Sequence, residues 1–329
     1  MASILVKYEC RVPPETTDLS MADMYDLALE QIAWIDAQGI PVTINFCEHH
    51  GSDDGYLPSP VIMAAAAARI TQNVRLQANV LVPFSDPLRV AEDVAVLDQL
   101  SHGRAEVLLL GGYVDSEMAM FGVDPKQRGH LMDEGVRTLK QAWSGKPFEF
   151  RGRPVCITPR PVQQPYPPIF MGGSSAPAAR RAAREADGFI AGMPHLNAIY
   201  EAECQRLGRT PRYQGDMAFA YLYVSEDPDR DWQRLAPYGL HETNCYARWQ
   251  GSSELDMMYS SAMDEKALKA LGTYQLVTAE EVLAKAPQLA PNDAYVLHPL
   301  VSGLEADLSW STLKNFFEKV APHVDIHTQ

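Results

Sequence analysis

Short apolar or β-branched runs alternate along this chain with longer stretches in which apolar residues recur every three or four positions. The first run, Ile4 to Cys10, is followed by Met21 to Gln38, where Leu27, Ile32 and Ile35 share one helical face and Gly39 ends the turn. Pro41 to Cys47 predicts a second strand, Pro60 to Ile70 an alanine-rich helix, and Asn73 to Leu81 a third strand. Asp86 to Leu100 reads as a helix capped by Asp86 with Pro87 in its first position, and Ala105 to Leu110 as the fourth strand. A loop, Gly111 to Lys126, and a helix ending near Trp143 complete that unit. Further units follow at Pro168 to Met171 with a helix over Pro177 to Glu185, and at Gly188 to Ala191 with a helix to Leu207. The seventh strand is expected over Asp216 to Val224, the eighth over Ala294 to Leu300, and a closing helix over Leu308 to Val320. Eight strand–helix units in one chain predict an α/β fold, a (β/α)8 TIM barrel.

Two stretches interrupt the alternation. Residues 144–168 carry short apolar runs on either side of Arg151, Gly152 and Arg153 and predict a small hairpin inserted after the fourth unit. Residues 236–266, after strand seven, concentrate His241, Asn244, Tyr246, Trp249, Met257, Met258 and Tyr259. Such aromatic and thioether content suits a lid over the barrel mouth or the contact of a homodimer. Neither interruption has the look of a domain boundary, so 1–329 is expected to form one domain.

Charge and cysteine content narrow the partners. The formal net charge of −14 argues against nucleic acid, whose phosphates call for clustered Lys and Arg. Five cysteines at wide spacing, with no Cys-x-x-Cys pair, read as reduced thiols. The start of the chain lacks a basic segment followed by an apolar core, and no window nears the ~18 apolar residues of a membrane span. A cytoplasmic protein without a membrane partner is expected.

Candidate chemistry collects after the strands, at the barrel end where active sites form. Glu48, His49 and His50 follow the second strand. Adjacent residues of an extended chain point to opposite faces, so the two histidines are not expected to bind a metal together. Gly111, Gly112 and Tyr113 follow the fourth strand. After the fifth, Gly172, Gly173, Ser174 and Ser175 lead into a helix. Backbone N–H groups without Cβ obstruction, hydroxyls and a helix N-terminus make that last segment an anion cradle.

In order and spacing these segments resemble the bacterial-luciferase-like family of flavin-dependent oxidoreductases over nearly the whole chain. The resemblance rests on Glu48-His49-His50, the run from Asp86 to Arg104, Gly112-Tyr113 with Phe121-Gly122, Arg160 to Gln163, Pro167 to Ser175, Ala186 to Gly188 and His298 to Gly303. It implies a barrel whose mouth holds FMN, the phosphate on Gly112, Tyr113, Gly172, Gly173, Ser174 and Ser175. The flavin ring would lie near Asn79, where family members often carry a strained bulge. It also implies that His49 sits beside the reactive edge of the flavin and supports peroxyflavin chemistry. The activity implied is a monooxygenase acting on a small organic substrate with O2, its reduced flavin supplied by a separate reductase. A deazaflavin-dependent dehydrogenase and a non-catalytic flavin-binding subunit are the alternatives on the same barrel. Three departures stand out: Gln77 where glycine is common, leucines at 108 and 110 where glycine is frequent, and Gly111 where luciferase has a phosphate-binding arginine. The last leads to an expectation of weak phosphate binding and a freely exchangeable flavin.

Overall fold

The computed structural model describes residues 2–214, 217–250, 260–290 and 292–327. Its elements run β1 (Ser3–Tyr8), α1 (Met21–Ala37), β2 (Thr43–Phe46), α2 (Pro60–Ile70), β3 (Arg75–Leu81), α3 (Pro87–Leu100), β4 (Ala105–Leu110), α4 (Asp115–Met120) and α5 (Arg128–Trp143). They continue with β5 (Phe148–Phe150), β6 (Arg153–Val155), β7 (Ile169–Gly173), α6 (Ala176–Glu185), β8 (Gly188–Ala191), α7 (His195–Arg206), β9 (Tyr213–Gln214), β10 (Met217–Phe219) and β11 (Tyr221–Val224). The last part comprises α8 (Pro228–Gln250), α9 (Glu265–Leu271), β12 (Tyr274–Val277), α10 (Ala279–Lys285), β13 (Ala294–Leu297) and α11 (Ala306–Lys319).

The main sheet has the order β10-β13-β1-β2-β3-β4-β7-β8-β9, and every pairing in it is parallel. Its two ends, β9 and β10, are neighbours in the chain, so the sheet curls round on itself. The period of two along each strand divides its residues between two environments. Ile4, Val6, Ile44, Phe46 and Leu76 pack in one apolar cluster with Met24, Ile32 and Ile35 of α1 and Phe316 of α11. Val80, Val107, Leu109, Ile169 and Met171 pack with α3, α5 and α6 in a second. The alternate positions carry Lys7, Asn45, Gln77, Asn79 and Glu106, all buried. Their polar atoms are paired: the Asn45 amide donates to Gln77 Oε1 at 2.8 Å and to Asn79 Oδ1 at 2.7 Å, Arg75 pairs with Glu106, and Lys7 donates to Glu242 at 3.0 Å. Buried polar groups without such partners would each cost about 1–3 kcal/mol.

Several expectations change in detail. The β3–β4 register runs unbroken from Leu76↔Ala105 to Leu81↔Leu110, so the bulge near Asn79 is absent. Gln77 supplies the reason, because its side chain fills and hydrogen-bonds the space that a glycine would leave. Residues 148–150 and 153–155 pair antiparallel as a hairpin. The stretch 236–250 of the second interruption is helical, the second half of α8, continuous through Pro237. Met257, Met258 and Tyr259 lie outside the described residues. A short parallel pair that the sequence pattern did not disclose joins β11 to β12. Among the described residues no helix is long and apolar enough to cross a membrane.

Arg104, at the entrance to β4, shows how the helices are fixed at the far end of the strands. Its guanidinium donates to Thr71 Oγ1, to the carbonyls of Val74, Ala68 and Thr71 at 2.8–3.2 Å, and through Nε to the Ser101 carbonyl. It closes the C-terminal ends of α2 and α3, whose last carbonyls have no partner inside the helix. Arg104→Ala should destabilise the protein by about 2–4 kcal/mol, read as a lower urea midpoint. A midpoint equal to wild type would mean that water replaces the guanidinium at no cost.

Candidate active site

One cavity of about 520 Å³ opens where β2, β3, β4, β7 and β8 end. Its size falls within the usual range for cofactor sites. His49, Gly112, Tyr113, Gly172, Gly173, Ser174 and Ser175 line it, seven of the eight residues expected from the sequence. Asn79 does not. It lies one inward position deeper on β3, its side-chain carbonyl taken by Asn45, and Leu81 holds the wall instead.

The cradle at one end is built by β7 running directly into α6. Ser175 caps the helix by accepting the Ala178 N–H, with Pro177 in the first turn. A Cβ on Gly173 would lie 2.5 Å from Ala178 Cβ, so the glycine is demanded by strand–helix packing as well as by any ligand. Three cations that the sequence reading did not place there also line this end: Lys126, Arg128 and Arg181. Arg128 lies across Gly111, where a Cβ would stand 3.0 Å from its Cδ, and donates to the Gly112 carbonyl at 2.9 Å. Arg181 sits on the second turn of α6 and is held by Asp133 at 2.8 Å. A cation from α5 thus stands beside Gly111, which carries no side chain of its own. Clustered N–H donors, hydroxyls and guanidinium groups match a phosphate monoester and fit the head of FMN.

The other end is aromatic. Glu48, His49 and His50 leave β2 in three directions. The Glu48 carboxylate accepts the Leu81 N–H at the tip of β3 and pairs with His50 Nε2 at 3.1 Å. His50 packs on Phe121 and Phe84, ring centroids 4.7 and 5.8 Å away. His49 turns to the cavity, with Trp249 at 4.5 Å, Tyr56 at 4.8 Å, and Tyr113 and Tyr246 at 5.7 Å. Its Nδ1 lies 2.8 Å from Glu117 Oε1, a buried carboxylate on α4. Among the described residues the hydroxyl of Tyr113, which lines the cavity, and Oε2 of Glu117, which does not, are buried without a partner. Burial, then the nearby Glu117, push the Tyr113 hydroxyl well above its usual range, so it stays a hydrogen-bond donor at physiological pH. Between the two ends run Leu81, Leu108, Leu110, Met171 and Ile190, an apolar wall suited to a flat ring.

Behind His49 lies an ion-pair knot. Arg11, fully buried, donates from Nε to Asp54 at 2.7 Å and faces the rings of Tyr56 and Trp249 at 5.2 and 5.3 Å. His241 of α8 bridges Asp54 at 2.7 Å and Glu15 at 2.8 Å. Burial alone would lower His241, but the Asp54 carboxylate and the Cys245 thiol outweigh it and raise the ring to about 9. Lys126, Arg181 and Glu117 were missed because nothing in their sequence neighbourhoods sets them apart from exposed helix; only the fold brings the two cations to the cavity and Glu117 to His49.

A family model for the luciferase-like monooxygenases matches residues 21–296. An uncharacterised protein of Sinorhizobium fredii (strain NBRC 101917 / NGR234) is 33% identical over 147 residues, 42% of this chain and 42% of that one. The FMNH(2)-dependent dimethylsulfone monooxygenase of Pseudomonas putida is 29% identical over 155 residues, 45% of this chain and 42% of that one. The chain therefore matches about half the length of these curated relatives. Among solved structures, a monooxygenase from Streptomyces bottropensis superposes with a TM-score of 0.80 at 22% identity, covering 98% of this chain and 99% of that one. The oxygenating constituent of 3,6-diketocamphane monooxygenase from Pseudomonas putida, solved with FMN, superposes with a TM-score of 0.75 at 17% identity over 100% of both chains. At these identities the structural likeness is one of fold.

Two measurements test this geometry. Arg128→Ala and Arg181→Ala should each weaken reduced-FMN binding by about ten- to a hundredfold, the usual loss for one charge-assisted contact, and should weaken riboflavin binding far less. Equal losses for both flavins would place the phosphate elsewhere. The His241 bridge carries a pH dependence of its own. A histidine raised to about 9 on folding, from the ordinary 6.5 of a free imidazole, adds stability that is complete below pH 6.5 and lost as pH rises through 9. The stability difference between wild type and His241→Gln should therefore shrink between pH 7 and 10; a constant difference would show that the bridge is not ionic.

Proposed function

The chain belongs to the luciferase-like monooxygenases, and we propose that it uses reduced FMN and O2 to oxygenate a small organic substrate, its reduced flavin coming from a separate reductase. The observation that carries this reading is one cavity joining a cationic phosphate cradle to His49 across an apolar wall. We take the curled sheet to be a closed (β/α)8 barrel in which β9 and β10 stand where the two edges meet. FMN is favoured over a deazaflavin because the dimethylsulfone relative is FMNH(2)-dependent and the diketocamphane structure holds FMN.

In this reading Arg128, Arg181 and Lys126 hold the FMN phosphate with the Gly172–Ser175 backbone and the first turn of α6. Leu81, Leu108, Leu110, Met171 and Ile190 receive the ring system. Reduced FMN, when bound, supplies the two electrons that activate O2 for transfer of one oxygen atom to the substrate. His49 has Nε2 without a partner among the described residues, and a neutral imidazole there can accept a proton from a ligand and return it. Tyr56, Tyr246 and Trp249 screen that nitrogen from bulk water, which strengthens each electrostatic contact made beside it. Retention of a caged, cavity-facing histidine distinguishes this site from that of a subunit that only binds flavin.

The test uses purified protein, a flavin reductase, FMN, NADH and 18O2, with alkyl sulfones and cyclic ketones as probes suggested by the relatives. Incorporation of one labelled oxygen atom into a product is expected, and His49→Ala should reduce that rate by ~10²-fold or more while leaving the fold intact. FMN binding without labelled product from any probe would favour the flavin-binding subunit, and a fully active His49→Ala would remove His49 from the chemistry.

A further inference from the structure

Glu117 lies outside every segment that carries the family resemblance, yet it is the carboxylate nearest the reactive histidine. It occupies the first turn of α4 and is 2 % exposed, in a six-residue helix whose Asp115, Ser116, Ala119 and Met120 face solvent. Oε1 receives two contacts from consecutive residues of the loop after β2: the backbone N–H of His50 at 2.8 Å and Nδ1 of His49 at 2.8 Å. A backbone amide can only donate, so Oε1 stands as an acceptor, and the ring nitrogen facing it is the one that carries hydrogen. In the neutral imidazole this leaves the lone pair on Nε2, the nitrogen with no protein partner among the described residues, in the residue that lines the cavity.

We propose that Glu117 is a positioning residue that fixes both the orientation of His49 and its tautomer, with hydrogen on Nδ1 and the proton-accepting lone pair of Nε2 turned to the cavity. The proposal rests on the functional reading only for why the tautomer matters. A free imidazole favours the opposite tautomer, with hydrogen on the nitrogen remote from the backbone, so a histidine left alone in this cage would offer the cavity an N–H donor in place of an acceptor. A carboxylate behind a working histidine is a recurrent means of setting which nitrogen carries the proton. Here the fold adds a constraint that a flexible side chain would lack. The same oxygen clamps the main chain at His50, while the four surrounding aromatic rings leave the imidazole no room to turn away.

The experiment is a long-range 1H–15N spectrum of protein labelled with [15N]histidine, with the His49 signals assigned by their loss in His49→Gln. Wild type should show His49 protonated at Nδ1 and bare at Nε2 in its neutral form. Glu117→Gln keeps an oxygen acceptor and should keep that pattern, with reduced-FMN-dependent turnover within several-fold of wild type. Glu117→Leu removes the acceptor. It should move the hydrogen to Nε2 and lower kcat by about 10- to 100-fold, the usual cost of losing such a partner, with the reduced-FMN Kd changed less than threefold. Hydrogen on Nε2 in wild type overturns the proposal, as does a Glu117→Leu protein that keeps hydrogen on Nδ1. Should Glu117→Leu fail to fold, the wild-type spectrum decides alone. The spectrum needs no substrate, so failure to find labelled product would defeat the monooxygenase reading and leave the Glu117–His49 pairing to be judged separately.

Discussion

A guanidinium with no access to water sits beneath the aromatic end of this cavity, and most of the surrounding geometry follows from the need to neutralise it. Leaving Arg11 unpaired would cost several kcal/mol, whereas pairing it with Asp54 and Glu9 turns the liability into a fixed point. Asp54 belongs to the loop that carries His49, and His241 brings α8 to the same carboxylate. Burial opposes ionisation of Asp54, but His241, Arg11 and Ser52 together hold its carboxyl well below the usual range. Three segments far apart in sequence are thereby locked to one charge, and the aromatic rings of Tyr56 and Trp249 close on its faces. A neighbouring cluster obeys the same rule. Burial works against the charge on Glu242, yet Lys7 and His298 lower it to about 2, while burial and Glu242 raise Glu9 to about 7. One negative charge is kept beside Lys7 and the second is relaxed. The carboxylates of these two clusters face Arg11 and Lys7, which meets their need for positive charge from within the protein.

The cavity inherits its polarity from this arrangement. Lys7 and Arg11 are committed to carboxylates, so the aromatic end offers rings and one imidazole, while Lys126, Arg128 and Arg181 face the opposite end. In a protein whose formal charge is −14, a cluster of three cations in a concave site focuses the field that draws a phosphate inward. A ligand with an anionic head and a flat apolar body can therefore enter in only one orientation.

How much of this could be read from the chain depends on whether the signal was local. Strand and helix periodicity is local, which is why β1 to β4, α1, α2, α3, β7 and β8 fall close to their expected spans. The curl of the sheet also followed from repeated strand–helix units. Seven of the eight site residues lie on the cavity because each sits at the end of a strand or just past it, where chain direction sets position. Asn79 failed for the same reason inverted. It lies inside a strand, and the resemblance carried it to the surface without the bulge that would have lifted it there. Arg128, Arg181 and Glu117 sit on helices whose facing depends on tertiary packing, and nothing in their neighbours marks them. The cation that stands beside position 111 is Arg128, seventeen positions on, and the local pattern around Gly111 does not disclose it. The stretch 236–250 gave no helical signal in its Pro, Asn, Tyr and Trp content, yet buried contacts with β12 and α9 override weak helix propensity.

The Glu48-His49-His50 segment shows how a three-residue motif acquires chemistry from its surroundings. Successive side chains of an extended chain diverge, so the three cannot act on one ligand together. Glu48 ties the loop to β3 and His50 seals it against Phe84 and Phe121. Those two anchors leave His49, the middle residue, with its ring at the cavity wall and, among the described residues, no partner on its outer nitrogen. The motif is therefore a mount with a single working part, and its flanking residues are selected for holding rather than for reacting. A second histidine in the sequence does not imply a second proton site, and the spacing of the anchors, one residue on either side, is the shortest that an extended backbone permits.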